Sequence, residues 1–370
     1  MSKVHDYLEQ DVLTLAKERL NYIVDTYDTI YVSFSGGKDS LVVMELLDMI
    51  YKERGIKEKL KVIHRDEEFL PDDVVNFVDE IVKSERFDFR YYCLQLKHFM
   101  YSLGVKKGYV KWDTRREHLR PMPEYALFDN DNIYDQYSTD VYTTKDGKGR
   151  KIILMGVRAD ESLTRLQAIR KSGQTNHLLV QIAANKKSGI ELGRPIYDWT
   201  EKDVFRFFYD HGIKYCDIYD SQVWSGSELR VASSTSVEAC KRLTLLKKMS
   251  PKYFDQICQV FPELRLQERY GVEFQNNFDP NDYSKGWRGV FEYIEKNLTG
   301  EQRNIAVTRV KQCMSTRDKK MRSGQGKENI YGYPVLYVLE TIAKGNFKRP
   351  LAPQLKARAK DFEHEGLKKP

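Results

Sequence analysis

Apolar residues recur along this chain with two periods, and its elements lie where one period gives way to the other. From residue 6 to 27 the apolar positions Leu8, Val12, Leu15, Ala16, Leu20, Ile23 and Val24 fall at helical spacing among charged residues, which predicts an amphipathic lead-in helix. A β-type run follows at 30–34, and Leu41-Val42-Val43-Met44-Glu45-Leu46-Leu47 then reads as the apolar start of a helix. Strands are predicted at 60–64 and 90–94. Between them a helix runs from 71 to about 83, with its proline early and its acids in the first turn. Residues 151–157 read as a strand, Lys151 followed by an unbroken apolar run from Ile152 to Val157 of the kind buried on both faces of a parallel sheet. Residues 104–150 are rich in Tyr, Asp and Gly and weakly periodic, and so read as a long excursion around a site.

Alternating strands and helices predict an α/β fold, a doubly wound and mostly parallel sheet whose ligand sits outside the carboxyl ends of the strands. From 228 the spacing turns helical over 228–248 and 251–270, punctuated by Pro251 and Pro262, which predicts a C-terminal helical domain. The expected divisions are an N-terminal helix at 1–27, an α/β domain at 28–220, a helical domain at 221–300 and a basic region at 301–370. A chain of 370 residues is long enough for two domains.

Charge changes the picture at one end. Residues 301–370 carry 16 Lys and Arg against 7 Asp and Glu, while the first 300 residues are slightly acidic. That asymmetry fits a polyanionic partner such as a nucleic acid, with Tyr331, Tyr333, Tyr337 and Phe347 as candidate stacking residues, or else a solvated basic surface. Five scattered cysteines without a Cys-x-x-Cys pair signal neither a disulfide framework nor a zinc or iron–sulfur site. No apolar run approaches the roughly 18 residues of a membrane helix, and the N-terminus has no signal-peptide core, so a cytoplasmic protein with no membrane partner is expected.

The chemistry concentrates where apolar runs end. Ser35-Gly36-Gly37-Lys38-Asp39-Ser40 is a phosphate cradle: two glycines let backbone N–H groups approach an anion at a helix N-terminus, and Lys38 adds full charge. Ser33, Ser35 and Ser40 supply hydroxyls, and Asp39 can hold Mg²⁺ or cap the first turn. It is not a Walker A loop, because Val32 stands where the first Gly should be and Asp39 follows Lys38. Asp66 and Glu68, just past the second strand, are candidates for Mg²⁺ or the ribose or adenine edge, against the plainer reading of a solvated loop. After the 151–157 run, Gly156, Arg158, Glu161 and Arg165 can grip phosphate or sulfate, with Glu161 orienting an arginine.

The hexapeptide Ser35 to Ser40 resembles the signature of the PP-loop (N-type ATP pyrophosphatase) superfamily. Gly156-Val157-Arg158-Ala159-Asp160-Glu161-Ser162-Leu163-Thr164-Arg165 resembles the Gly-x-Arg-x-x-Glu-Ser-x-x-Arg segment of phosphoadenosine phosphosulfate (PAPS) reductases, and Pro195 to Val204 resembles their Pro-hydrophobe-x-x-Trp-Thr-x-x-Asp-Val segment. The resemblance spans about residues 28–220 and is closest to the PAPS reductase-like proteins of phages, prophages and plasmids. It implies ATP, or PAPS or APS, as ligand with Mg²⁺, and cleavage of ATP between the α and β phosphates with Lys38, Arg158 and Arg165 as catalytic residues. It leaves open a protein partner and an acceptor tied to sulfur transfer or nucleic-acid modification. The chain departs from true PAPS reductases in lacking their Glu-Cys-Gly-x-His segment, so a reductase or sulfotransferase would have to use Cys240 or Cys313. A third reading is a nucleotide-binding regulator without turnover that acts on DNA.

Overall fold

The computed structural model describes residues 9–322 and 332–367, apart from 104, 163–164, 167–168, 170–178, 181–189, 227–228, 232, 236–241, 277, 348–349 and 355–356. Two compact units divide the chain, residues 1–101 with 106–264, and 102–105 with 265–370.

The first unit runs α1 (Val12–Thr26), β1 (Thr29–Phe34), α2 (Lys38–Glu53), β2 (Lys61–Arg65), α3 (Asp72–Lys83), β3 (Asp88–Ser102), β4 (Val105–Lys111), β5 (Leu127–Tyr134), α4 (Gln136–Thr143), β6 (Lys151–Met155), β7 (Leu179–Val180), β8 (Ile190–Gly193), α5 (Glu201–His211), α6 (Ile218–Trp224), α7 (Leu243–Met249) and α8 (Pro251–Val260). Its sheet has the order β4-β3-β2-β1-β6-β8-β7, with β5 also paired to β3. The pairs β1–β2, β1–β6, β2–β3, β3–β5 and β6–β8 are parallel, and β7–β8 is antiparallel. This is the mostly parallel α/β sheet that the alternating pattern predicts.

Burial explains the pattern. Ile152, Ile153 and Leu154 of β6 are all inaccessible to solvent. Val32, Phe34, Val62, Ile152 and Leu154 belong to one core with Leu20 and Ile23 of α1, Val42 and Leu46 of α2, and Val74 and Val78 of α3. Tyr31, Ile63, Tyr92, Ile153 and Leu192 form a second cluster, on the alternate positions of the same strands. Each such side chain contributes about 1.5–3 kcal/mol on burial. In α5, the Thr200 hydroxyl accepts from the Asp203 N–H at 3.4 Å, while the Asp203 carboxylate accepts from the Thr200 N–H at 2.7 Å. That reciprocal cap fixes the helix start.

Two expectations change. The excursion over 104–150 contains β4, β5 and α4. Its signal is weak because most of β5 is exposed, which removes the alternation that marks a half-buried strand. The stretch 251–270 breaks at Pro262, where the sequence marks punctuation: α8 ends at Val260 and α9 (Glu263–Asn276) begins beyond the proline, which lacks an N–H and disfavours helix in the residue before it. Leu243, Phe254, Ile257 and Phe261 share a core with Phe69 and Met100, so the helical stretch up to 264 packs within the first unit. That division cuts across the expected 221–300 domain.

The second unit contains most of α9, α10 (Trp287–Asn297), α11 (Gly300–Arg322), α12 (Val335–Ala343) and α13 (Ala359–His364), with Val290, Ile294, Val310, Val338, Leu339 and Phe347 at its core. Tyr333 and Tyr337 pack against that core, donating to the carbonyls of Leu351 at 2.9 Å and Ala352 at 2.8 Å. Phe347 is buried. These three rings are therefore structural, which corrects their reading as stacking residues; Tyr331 lies outside the described residues. Among the described residues no helix is long and apolar enough to cross a membrane.

Candidate functional site

Strand order reverses at β1: β2 and β3 extend on one side of it, β6 and β8 on the other. A crevice at the carboxyl ends of the strands follows from that reversal. Ser35-Gly36-Gly37 leaves β1 there, and Gly156 onward leaves β6. Gly36 has φ +77°, and a Cβ on it would lie 2.8 Å from Val74 Cγ1, so the turn requires glycine both for its conformation and for space. A Cβ on Gly156 would lie 2.3 Å from the Asp39 carbonyl carbon and 2.4 Å from the Ser40 nitrogen. The β6 turn thus lies directly on the first turn of α2, and this close approach joins the two sequence motifs.

Lys38 opens α2 with its side chain only 4% exposed. Its Nζ donates to the Leu229 carbonyl at 2.6 Å and lies 3.4 Å from Asp39 Oδ2 and 3.7 Å from Glu201 Oε2. Burial pulls its pKa down, opposed by Asp39 and Glu201. Asp39 Oδ1 accepts from Arg158 Nε at 2.6 Å. Glu161 pairs with Arg165 and accepts from the Arg158 backbone N–H at 3.4 Å. Burial lowers the pKa of Arg165, then the charge of Arg230; Arg158 and Arg194 act in the same direction while Asp39 opposes. Arg194 has Nε and Nη1 buried without a hydrogen-bond partner among the described residues. Lys38, Arg158, Arg165, Arg194 and Arg230 therefore form a partly desolvated cationic cluster beside the N-terminus of α2, an arrangement suited to a multiply charged oxyanion.

The other sequence candidates divide. Ser35 and Ser40 brace the turn: their hydroxyls are 3.1 Å apart, Ser40 Oγ donates to the Gly37 carbonyl at 2.9 Å, and Ser35 Oγ accepts from the Gly37 N–H at 3.3 Å. Ser33 stays in β1, where Arg65 donates to its hydroxyl at 3.2 Å. Asp66 accepts from Arg120 Nη2 at 2.6 Å and from the Tyr91 hydroxyl. Glu68 accepts from Arg116 Nη1 and from the Trp112 N–H, each at 2.6 Å. Both carboxylates are fully occupied in tying down the 104–120 excursion, so their expected role toward Mg²⁺ or a ribose gives way to a structural one. His64 is buried, with Nδ1 2.9 Å from the Phe34 carbonyl oxygen.

Sequence reading missed Tyr219, Leu229, Arg230, Arg194 and Glu201. A signal existed for Arg194, which follows the glycine ending an apolar strand. None existed for Tyr219, whose hydroxyl accepts from the Lys38 N–H at 2.7 Å across 181 residues of sequence. The thiols of Cys93, Cys216, Cys258 and Cys313 are buried, and burial pushes Cys216 up to about 11 and Cys313 up to about 12. Cys240 lies outside the described residues.

A family model described as phosphoadenosine phosphosulfate reductase domain matches residues 29–257, more than half of the chain. The protein YbdN of Escherichia coli, described as uncharacterized, is 24% identical over 236 residues, which cover 60% of this chain and 58% of that protein. MJ0973 of Methanocaldococcus jannaschii, also described as uncharacterized, is 28% identical over 240 residues, 59% of this chain and 47% of that protein. The chain thus spans about half the length of these curated relatives. Similar solved structures include the FMN adenylyltransferase of Candida glabrata with FAD and inorganic pyrophosphate, at 13% identity and a TM-score of 0.38 over 56% of this chain and 58% of that one. The PAPS reductase of Candida auris in a phosphate complex gives 13% identity and a TM-score of 0.34 over 63% and 98% of the two chains.

Proposed function

Because this chain belongs to the phosphoadenosine phosphosulfate reductase domain family, we propose that it binds an adenine nucleotide at the β1/β6 reversal, ATP above all, and cleaves it between the α and β phosphates. The acceptor's nucleophile takes the adenylyl group and pyrophosphate leaves. One observation carries the reading: the glycine turn, the buried Lys38 and the Arg158–Asp39 pair are held together at the N-terminus of α2 by the close approach at Gly156. In this reading Gly36, Gly37 and Lys38 hold the leaving pyrophosphate, and Arg158 and Arg165 stabilise charge growing on the α-phosphate. Among the described residues no group of three His, Cys, Asp or Glu could cage a cation. Mg²⁺ would therefore arrive on the phosphates with Asp39 as the nearest carboxylate, neutralising their charge. ATP is favoured over PAPS or APS because the sequence lacks the Glu-Cys-Gly-x-His segment and the thiol of Cys313, one of the two that a reductase would have to use, is buried.

The acceptor in this reading is a nucleic acid. Support comes from the basic excess over 301–370 and from the exposed groove along α11, lined by Lys311, Met314, Ser315, Asp318, Lys319 and Arg322. The deciding test is the variant Lys38→Ala. ATP affinity measured by calorimetry should fall by roughly ten- to a hundredfold, the worth of one charge-assisted contact, with pyrophosphate release falling alongside it. Unchanged affinity in a folded variant would overturn the cradle.

A further inference from the structure

The donors that would hold phosphate are already engaged by the protein itself. The Lys38 N–H, in the first turn of α2, donates to the Tyr219 hydroxyl at 2.7 Å, and Lys38 Nζ donates to the Leu229 carbonyl at 2.6 Å. Lys38 Nζ also lies 5.3 Å from the centre of the Tyr219 ring. Tyr219 is one of the largest fully buried side chains, so solvent does not compete for its oxygen. Gln222, one turn further along α6, holds Arg230 by both ends of its amide: Nε2 donates to the Arg230 carbonyl and Oε1 accepts from the Arg230 N–H, each at 2.8 Å. One short helix is thereby tied to Leu229 and Arg230. Tyr219 and Leu229 meet two donors of the cradle, and the charge of Arg230 bears on Arg165.

We propose that α6, Leu229 and Arg230 form a latch that occupies the cradle's anion donors and is displaced by the incoming polyphosphate. The inference rests on the nucleotide reading above. Both latch acceptors are neutral oxygens, whereas a phosphate oxygen is charged and makes hydrogen bonds roughly twice as strong with the same donors. Exchange therefore favours the anion, while each latch bond lowers the observed affinity. A ligand too small or too weakly charged to replace both acceptors leaves the latch shut, so the device selects polyphosphates. Released together with Leu229, Arg230 would be free to follow the ligand.

Two measurements on the full chain test this with inorganic pyrophosphate as probe. Tyr219→Phe deletes one competing acceptor and keeps the buried ring; it should bind pyrophosphate about three- to tenfold tighter, the net effect of one neutral hydrogen bond. Trp224 ends α6 with 90% of its surface exposed. Its emission should change on saturation in the wild type, and the change should vanish in Trp224→Phe. Equal or weaker binding by Tyr219→Phe overturns the latch, as does Trp224 emission that stays constant at saturation. Binding that depends on Lys38 but not on Tyr219 overturns the latch alone; a wild-type chain that binds neither pyrophosphate nor ATP overturns the cradle and the latch with it.

Discussion

Gly156 does for this site what no polar residue could, since its lack of a side chain sets the distance between the two motif-bearing turns. A methyl there would press on the backbone at Asp39 and Ser40, which cannot swing aside as a flexible side chain would. Gly156→Ala should cost about 1–3 kcal/mol of stability, as overpacking does, and abolish ATP binding through displacement of Lys38; urea unfolding and calorimetry check both. The cysteines supply the opposite kind of prediction. With Cys313 pushed up to about 12 by burial, almost no thiolate exists near neutral pH. Cys313→Ser should leave turnover within a few-fold of wild type, and iodoacetamide should label Cys313 only after denaturant is added. Loss of activity in the folded variant would restore the reductase reading.

At the scale of elements, the acids after β2 form a clamp. Asp66 binds Arg120, Glu67 binds Lys111 at 2.9 Å, and Glu68 binds Arg116, three ion pairs that tie residues 111–120 to the carboxyl end of β2. Removing one partner strands a buried charge, so Arg116→Ala should cost about 3–5 kcal/mol in denaturant unfolding. His98 adds a pH dependence. Burial, then Lys111, drives its pKa down to about 4, with Glu67 opposing. Its contribution is therefore complete above the unfolded value of roughly 6.5 and is lost as pH falls from there toward 4, because in that window the unfolded chain takes up a proton that the folded chain refuses. His98→Gln should flatten the fall in denaturation midpoint between pH 7 and pH 5.

For the molecule as a whole, the uneven charge is the feature to test. Neutralising Lys311, Lys319 and Arg322 with Gln should weaken binding to DNA or RNA and flatten the slope of log K against log salt by about 0.7–0.9 for each phosphate no longer neutralised, with ATP affinity unchanged. An anisotropy assay at about 50 mM salt is the setting in which electrostatic binding shows most clearly. No salt-dependent signal from the wild type there would make the acceptor a small molecule.

Helices α1 to α3, strands β1, β2 and β6, the glycine turn at Gly36 to Ser40 and the Arg158–Glu161–Arg165 segment were legible in the sequence because each depends on neighbours within a few positions, whereas β4, β5 and α4 were not. Apolar spacing selects helix or strand, glycine permits the turn, and Thr200 with Asp203 caps its own helix. What the site contains beyond that was settled by strand order. Placing β6 beside β1 puts Arg158 on Asp39 across 119 residues, and the return of the chain after α5 puts Tyr219 and Leu229 on Lys38 across 181 and 191. The same holds in reverse for Asp66 and Glu68, whose carboxylates looked available until the excursion brought Arg116 and Arg120 to them. Local pattern determined which groups this protein has at the ends of its strands. Only the packing of distant segments, driven by burial of the faces those patterns create, decided which of the groups gather at the N-terminus of α2 and which are neutralised by each other.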